Sequence, residues 1–434
     1  MSISAHLARV LVKDNPWLDG GDVGTWLGRF VPARYIPRRS VLGAGSKVCL
    51  VVGPRQAGKS TLIWRTLVEA GEPCVYLNCE EPSVAEWLRS PAEFLTDLET
   101  IAPAAPAILF EEVQRLREAG LFLKGLVDRR PGKRLYATGS SSFELEGRTR
   151  ESLAGRAERH LLLPLSMSEV GATLKGSPRI REEKLRATAD AHVIFGGYPS
   201  VVLAAEPERV LAELVEVFVL RDASDRFAVR NAGAFRRLLE LAASQVGNLC
   251  NVSEWAGLAG VSHETAGGYL DLLQDAHVLR LVRPFVGGKR AEITSAAKVF
   301  FIDNGIRNQL FGGFGAPTQR ADQGALVENL VFTELAKVTN PLLDGIHYWR
   351  SKSGAEVDFV VRHQGRLAGV EVKTGAVGAR LTRSARSFIE AYGPELFVVV
   401  NRESYPPRRE GKTEVSFVRP WEIGPVIALF VGTA

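Results

Sequence analysis

Between about residues 46 and 166, short apolar runs recur at wide intervals, separated by stretches with helical spacing. Val48–Val52, Pro73–Leu77, Ala107–Phe110, Arg134–Thr138 and His160–Leu163 are brief, mostly apolar segments. Runs of this kind suit strands covered on both faces, and their alternation with helices predicts a parallel sheet of βαβ units. Ala102-Pro103-Ala104-Ala105-Pro106 predicts the loop that enters the third strand. From about 168 to 245 the pattern turns helical, with a 3.6-residue apolar stripe from Glu208 to Phe227 and a break at Gly196-Gly197-Tyr198-Pro199. The run Val252 to Ser262, followed by Thr265 to Leu273, reads as two short helices separated by a Gly turn, with Ser253 and Ser262 as N-caps, and predicts a helix-turn-helix. Strands at Val278–Val282 and Lys298–Ile302, flanking Gly287-Gly288-Lys289-Arg290, would add a wing. One helix, Gly324–Lys337, opens a final segment of strands and helices.

These patterns divide the 434 residues into an N-terminal extension (1–45), a parallel-sheet core (46–167), a helical region (168–245), a winged helix-turn-helix (246–315) and a C-terminal α/β domain (316–434). A composition 46% hydrophobic and 24% charged is that of a globular protein. No run of eighteen apolar residues or leader-like core occurs, so the expectation is a cytoplasmic protein with no membrane partner. Cys49, Cys74, Cys79 and Cys250 lack metal-site spacing and read as buried thiols. From Arg350 onward, thirteen Lys/Arg face nine Asp/Glu, so most of the net charge of +5 belongs to the C-terminal fifth. That excess points to a polyanion or to a plain solvated basic face.

The loop Gly53-Pro54-Arg55-Gln56-Ala57-Gly58-Lys59-Ser60-Thr61 lies between the first strand and a helical stretch, and reads G-x-x-x-x-G-K-S. Glycines at those positions let successive N–H groups converge on phosphate oxygens, with the helix N-terminus behind them. Lys59 would reach the β- and γ-phosphates, and Ser60 would ligate Mg²⁺. A second element decides the chemistry. Ala107–Phe110 ends in Glu111-Glu112, which places one carboxylate (Glu111) near the metal and the other (Glu112) at the attacking water as general base, while the competing reading is two surface glutamates opening a helix Val113–Ala119. Thr138-Gly139-Ser140-Ser141-Ser142 offers hydroxyls to the γ-phosphate or caps a helix. Arg156, after Leu153-Ala154-Gly155, reads either as a donor to transition-state charge, in cis or from a neighbouring subunit, or as an ordinary ion-pair residue.

In order, G-P-R-Q-A-G-K-S-T, E-E-V-Q, T-G-S-S-S, S-L-A-G-R and F-G-G-Y-P resemble the AAA-superfamily ATPases of bacteria and archaea that carry a C-terminal domain of unknown function. The resemblance implies a P-loop, RecA-like core with ATP and Mg²⁺ as cofactors. It also implies Lys59 and Ser60 on nucleotide and metal, Glu112 as catalytic acid, Ser140 as sensor and Arg156 as finger. Adenine rests on this resemblance, since no guanine-specifying Asn-Lys-x-Asp motif occurs. The chain departs from the pattern at Glu111, where such proteins usually carry Asp. The extra methylene moves the carboxylate against a metal that demands octahedral geometry, so slow turnover is expected.

A second constellation lies in the tail. Asp358, on an alternating segment, and Glu371 with Lys373, on the next, resemble the P-D…D/E-x-K signature of the restriction-endonuclease-like fold, with Val357 in place of Pro. Two such carboxylates on adjacent strands, completed by Glu328 from the preceding helix, can hold a metal beside a charge-stabilising lysine. The competing reading is a row of charges on a solvent face. The second helix of the helix-turn-helix carries Glu264 and Asp271 rather than basic readers, so Arg280, Arg283, Lys289 and Arg290 around the wing are better phosphate contacts, and a packing module between core and tail fits the region at least as well as a DNA reader. The sequence thus predicts an ATPase whose nucleotide state controls a DNA-facing half with a candidate nuclease site, and Arg156 in trans would imply a homo-oligomer. A different class, an ATP-dependent switch or scaffold for a protein partner with a silent tail, fits the same residues.

Overall fold

The computed structural model describes residues 3–43, 45–139, 153–216, 229, 231–287, 296–341, 343–375 and 378–433. Packing divides the chain into two compact units, Met1–Leu163 and Pro164–Ala434.

The first unit is built on five parallel strands: β1 (Val48–Val52), β2 (Cys74–Asn78), β3 (Ala107–Glu111), β4 (Arg134–Gly139) and β5 (Ala157–Leu161), in the order β2-β3-β4-β1-β5. All five residues of β1 are buried, because helices cover both faces of the sheet. β5 lies several residues earlier than the apolar signal suggests, at Ala-Glu-Arg-His-Leu rather than His160–Leu163. As an edge strand it is largely half-exposed, so its pairing with β1 is not accompanied by an apolar run. After β3 the expected helix Val113–Ala119 is a single 3-10 turn, Val113–Arg115, and the α-helix runs Ala119–Arg129 instead.

The N-terminal residues belong to this unit. Buried Asn15 hydrogen-bonds both backbone groups of Tyr76 on the edge strand β2, accepting from its N–H at 2.7 Å and donating to its carbonyl at 2.9 Å. Trp17 Nε1 donates to the Cys74 carbonyl on the same strand at 3.1 Å. Side chains thus occupy an edge that would otherwise offer free hydrogen-bonding groups. Trp26, Phe30, Trp64 and Tyr76 form one aromatic cluster, with Phe30 and Trp64 stacked at 3.9 Å between centroids.

The second unit opens with helices. Helices Val252–Ala259 and His263–Asp275 lie either side of Gly260, and Ser262 caps the second as its spacing predicts. Asn251 rather than Ser253 caps the first. β6 (Leu279–Val282) and β7 (Lys298–Phe301) pair antiparallel, but Gly288, Lys289 and Arg290 between them lie outside the described residues. The apolar stripe from Glu208 is helical over Pro207–Leu214, and its later part, from residue 217, is likewise outside them.

β8 (Asp344–Arg350), β9 (Glu356–His363), β10 (Arg366–Val372), β11 (Leu396–Val400), β12 (Tyr405–Glu410) and β13 (Thr413–Val418) form a mixed sheet in the order β12-β13-β11-β10-β9-β8. Helix Gln323–Val338 crosses from this sheet to β7. Phe300 stacks on its Phe332 at 4.9 Å, and buried Asn329 hydrogen-bonds both backbone groups of Phe301.

The Phe195–Pro199 motif has a structural task. Gly196 has φ +73°, and a Cβ there would meet Asp303 Oδ1 at 2.0 Å. Asp303, fully buried, accepts from Gly197 N at 2.7 Å and caps helix Asn304–Leu310 through Gly305 N at 2.8 Å.

Candidate nucleotide site and a second charged cluster

The loop Gly53–Thr61 leaves the carboxyl end of β1 and runs into helix Lys59–Ala70. Gly53 has φ +148°, and a Cβ there would lie 2.1 Å from the Leu162 carbonyl, so the strand end approaches too closely for any side chain. Gly58, at φ +91°, is the left-handed N-cap that starts the helix. Gln56, at φ +57°, bends the loop between them.

Lys59 is 6% exposed, and its ammonium donates to the loop's own carbonyls, Gly53 at 3.1 Å and Pro54 at 2.9 Å. Burial lowers its pKa to about 8; Glu112 and Glu111 oppose that shift, and Arg55 adds to it. A cation held this way is under-compensated, and an anion entering the loop would restore it.

β4 lies between β1 and β3, so the ends of all three strands meet beside the loop. Ser60 Oγ donates to one oxygen of Glu111, and Tyr76 OH from β2 donates to the other. Glu112 follows in the left-handed region at φ +54°, a conformation that costs a non-glycine residue energy. It is held there by its N–H donating to Thr138 Oγ1 at 3.0 Å, and by Gln114 Nε2 donating to its carboxylate at 2.6 Å. Thr138 thus acts on Glu112 in this arrangement. Ser140 lies outside the described residues. A recessed ammonium, a ring of loop amides, one hydroxyl and two carboxylates are a donor set that fits a triphosphate with a hard divalent cation.

Arg156 stands elsewhere. It precedes β5, and its carbonyl accepts from Val48 N at the start of β1, so it lies at the sheet edge opposite the loop. The length of β1 separates the two edges by about 13 Å at ~3.3 Å per residue. Its guanidinium donates to Asp128 at 2.5 Å. Service to the loop of its own chain is therefore excluded by position.

Tyr76, Gln114 and Arg38 were not legible as site residues. Arg38, from the N-terminal segment, donates to the Ala57 carbonyl inside the loop at 3.0 Å and to the Leu163 carbonyl.

In the second unit Glu328, Asp358, Glu371 and Lys373 fall in one neighbourhood but not as one ligand set. Asp358 Oδ2 accepts from Val372 N at 2.7 Å across the β9–β10 pair. Glu371 accepts from Lys373 at 2.9 Å and from Thr382 Oγ1 at 2.8 Å. Glu328 accepts from Lys298 on β7 at 3.4 Å, and Lys298 also meets Glu356 at 2.6 Å. Burial, then the nearby Asp358, raises Glu328 to about 7; Lys298 is raised by the carboxylates around it. Among the described residues, no three His, Cys, Asp or Glu side chains converge as a metal cluster. Lys298 was not legible as a site residue: it is a lone lysine on the short strand β7, with no spacing that ties it to the tail.

The parallel sheet with its strand–loop–helix and paired carboxylates defines a P-loop protein of the AAA class. Family models agree: an AAA domain matches residues 45–171, and two domains of unknown function match 186–316 (DUF8612) and 323–419 (DUF4143). An uncharacterized protein of Mycobacterium tuberculosis is 31% identical over 347 residues, which are 78% of this chain and 73% of that protein, and the chain belongs to the same family of AAA-domain proteins. An uncharacterized protein of Haemophilus influenzae is 26% identical over 340 residues, 74% of this chain and 81% of that one. A solved structure concerned with katanin self-assembly covers 49% of this chain and 71% of its own at 16% identity, with a TM-score of 0.25, too loose a likeness to bear on function. No described helix is long and apolar enough to cross a membrane.

Proposed function

We propose that the chain binds Mg·ATP in the loop Gly53–Thr61 and hydrolyses it slowly, and that nucleotide state controls a DNA-facing C-terminal half. The observation that carries this reading is the buried Lys59 ammonium, resting on carbonyls of its own loop beside Glu111 and Glu112. The loop amides and Lys59 would hold the triphosphate, with Lys59 exchanging two carbonyls for phosphate oxygens. Ser60 and Glu111 would hold Mg²⁺, which supplies charge neutralisation on the phosphates. Glu112, oriented by Gln114 and Thr138, accepts the proton of the attacking water. Tyr76 fixes the longer Glu111 side chain, which tempers the loss of an aspartate there. Arg156 at the far sheet edge supports a role toward a neighbouring copy's nucleotide. The test is phosphate release with and without Mg²⁺. Release above that of Lys59→Ala is expected, and equal release would overturn the reading.

Lys298 supports the second reading for the tail. An internal ammonium already answers Glu328 and Glu356, so the carboxylate group has less need of a divalent cation. On this reading plasmid nicking with Mg²⁺ or Mn²⁺ is equal for the native chain, Asp358→Ala and Lys373→Ala. Nicking lost in both variants would favour the nuclease instead.

A further inference from the structure

Several surface arginines are answered by carboxylates, as Arg65 is by Glu69 and Arg366 by Glu395. Three that are not lie close together in the chain. Arg380, Arg383 and Arg386 are exposed, and among the described residues none of them enters an ion pair. Thr382 caps helix Arg383–Tyr392, so Arg383 and Arg386 lie three apart on its first two turns and share a face. Glu390, one turn further on, forms no ion pair with Arg386 and marks where the basic face ends. The apolar residues of the stretch, Leu381, Ala385 and Phe388, all point into the core.

Two further cations border it, each already paired with a carboxylate, Arg408 with Glu410 at 3.1 Å and Lys373 with Glu371 at 2.9 Å. Arg408 on β12 donates to the Ala379 carbonyl at 2.8 Å, which brings that strand to the loop before the helix. Lys373 reaches the same loop through Glu371, whose other oxygen accepts from Thr382. Arg380, Arg383 and Arg386, three of the thirteen Lys/Arg from Arg350 onward, thus form an exposed basic surface bordered by Lys373 and Arg408.

We propose that this surface binds the phosphate backbone of duplex nucleic acid without reading its sequence. It deepens the DNA-facing reading given above and rests on it. Three features select the partner. Guanidinium groups unanswered within the protein suit phosphate, which they meet through two parallel N–H donors. Ser384 stands between Arg383 and Arg386 and Ser387 follows them, further donors of the kind that contact phosphates, and among the described residues no large apolar side chain is exposed there to anchor a protein partner. Among the described residues this surface carries no exposed aromatic ring, so it has no platform on which single-stranded bases would stack. The helix-turn-helix, with Glu264 and Asp271 exposed on its second helix, is the poorer candidate.

The experiment is fluorescence anisotropy of a labelled 20-base-pair duplex with the full chain, from 50 to 200 mM salt. Parallel arms use single-stranded DNA and poly-glutamate as competitor. Each phosphate contact adds about 0.9 to the salt slope, so R380A/R383A/R386A should flatten it by about 2.7, equivalent to about 40-fold in affinity across that range. The charge-keeping variant R380K/R383K/R386K should retain most of the slope, which separates lost charge from lost folding. Duplex binding with an unchanged slope in the alanine variant would overturn this assignment alone. No duplex binding by the native chain at 50 mM salt would overturn it together with the DNA-facing reading, and leave ATP turnover untouched. Tighter binding of single strands, or displacement by poly-glutamate at equal charge, would overturn the choice of partner.

Discussion

Lys59 is a cation that its own loop under-serves. Its carbonyl partners are neutral, and burial lowers its pKa to about 8 from an ordinary value of 10.5. A bound triphosphate would raise it again, so binding takes up a proton when the pH is above 8. Nucleotide affinity measured calorimetrically should therefore hold between pH 6 and 7.5 and fall between 8 and 10. Lys59→Arg, charged throughout, should lack that fall even if it binds more weakly overall. Gly53 is constrained by the Leu162 carbonyl rather than by any ligand. Gly53→Ala should cost about 3 kcal/mol or more of the first unit's stability in denaturant unfolding, because both the contact and the φ are unfavourable.

At the level of elements, what could be read from sequence was what local pattern controls. The first strand, its loop and the following helix were legible because each is specified within a few residues. The tail strands bearing Asp358 and Glu371 were legible for the same reason. β5 was legible only with displaced bounds, since a half-exposed edge strand shows no continuous apolar run. Tyr76 joins Glu111 across thirty-five residues of chain and Asn15 joins Tyr76 across sixty-one, and no spacing announces such partners. Asn15 closes the β2 edge with buried hydrogen bonds, so Asn15→Ala leaves a backbone N–H and a carbonyl of Tyr76 unpaired. A loss of about 2–3 kcal/mol in thermal or denaturant unfolding is expected. The same variant should shift Tyr76, and through it Glu111, and so lower phosphate release as well.

Across the whole molecule the two units carry different dependences on pH. In the second, His192 is fully buried and lowered to about 3, by burial first and then by the nearby Lys337. The unfolded chain takes up a proton near 6.5 while the folded one does not. Stability from this group is therefore present above about 6.5 and lost as pH falls toward 3, with a slope of about 1.4 kcal/mol per pH unit. Calorimetric unfolding of His192→Gln should show a shallower acid decline in the second unit's transition. The charge map sets the wider picture: carboxylates and one recessed ammonium at the sheet edge of the first unit, unpaired arginines on the second.

The most direct measurement is phosphate release and Mg·ATP binding on the same preparations of the native chain and Glu112→Gln. The variant is expected to bind Mg·ATP about as tightly as the native chain but to release phosphate at the background rate of Lys59→Ala. Native-like release by Glu112→Gln, or the absence of binding by the native chain, would contradict it.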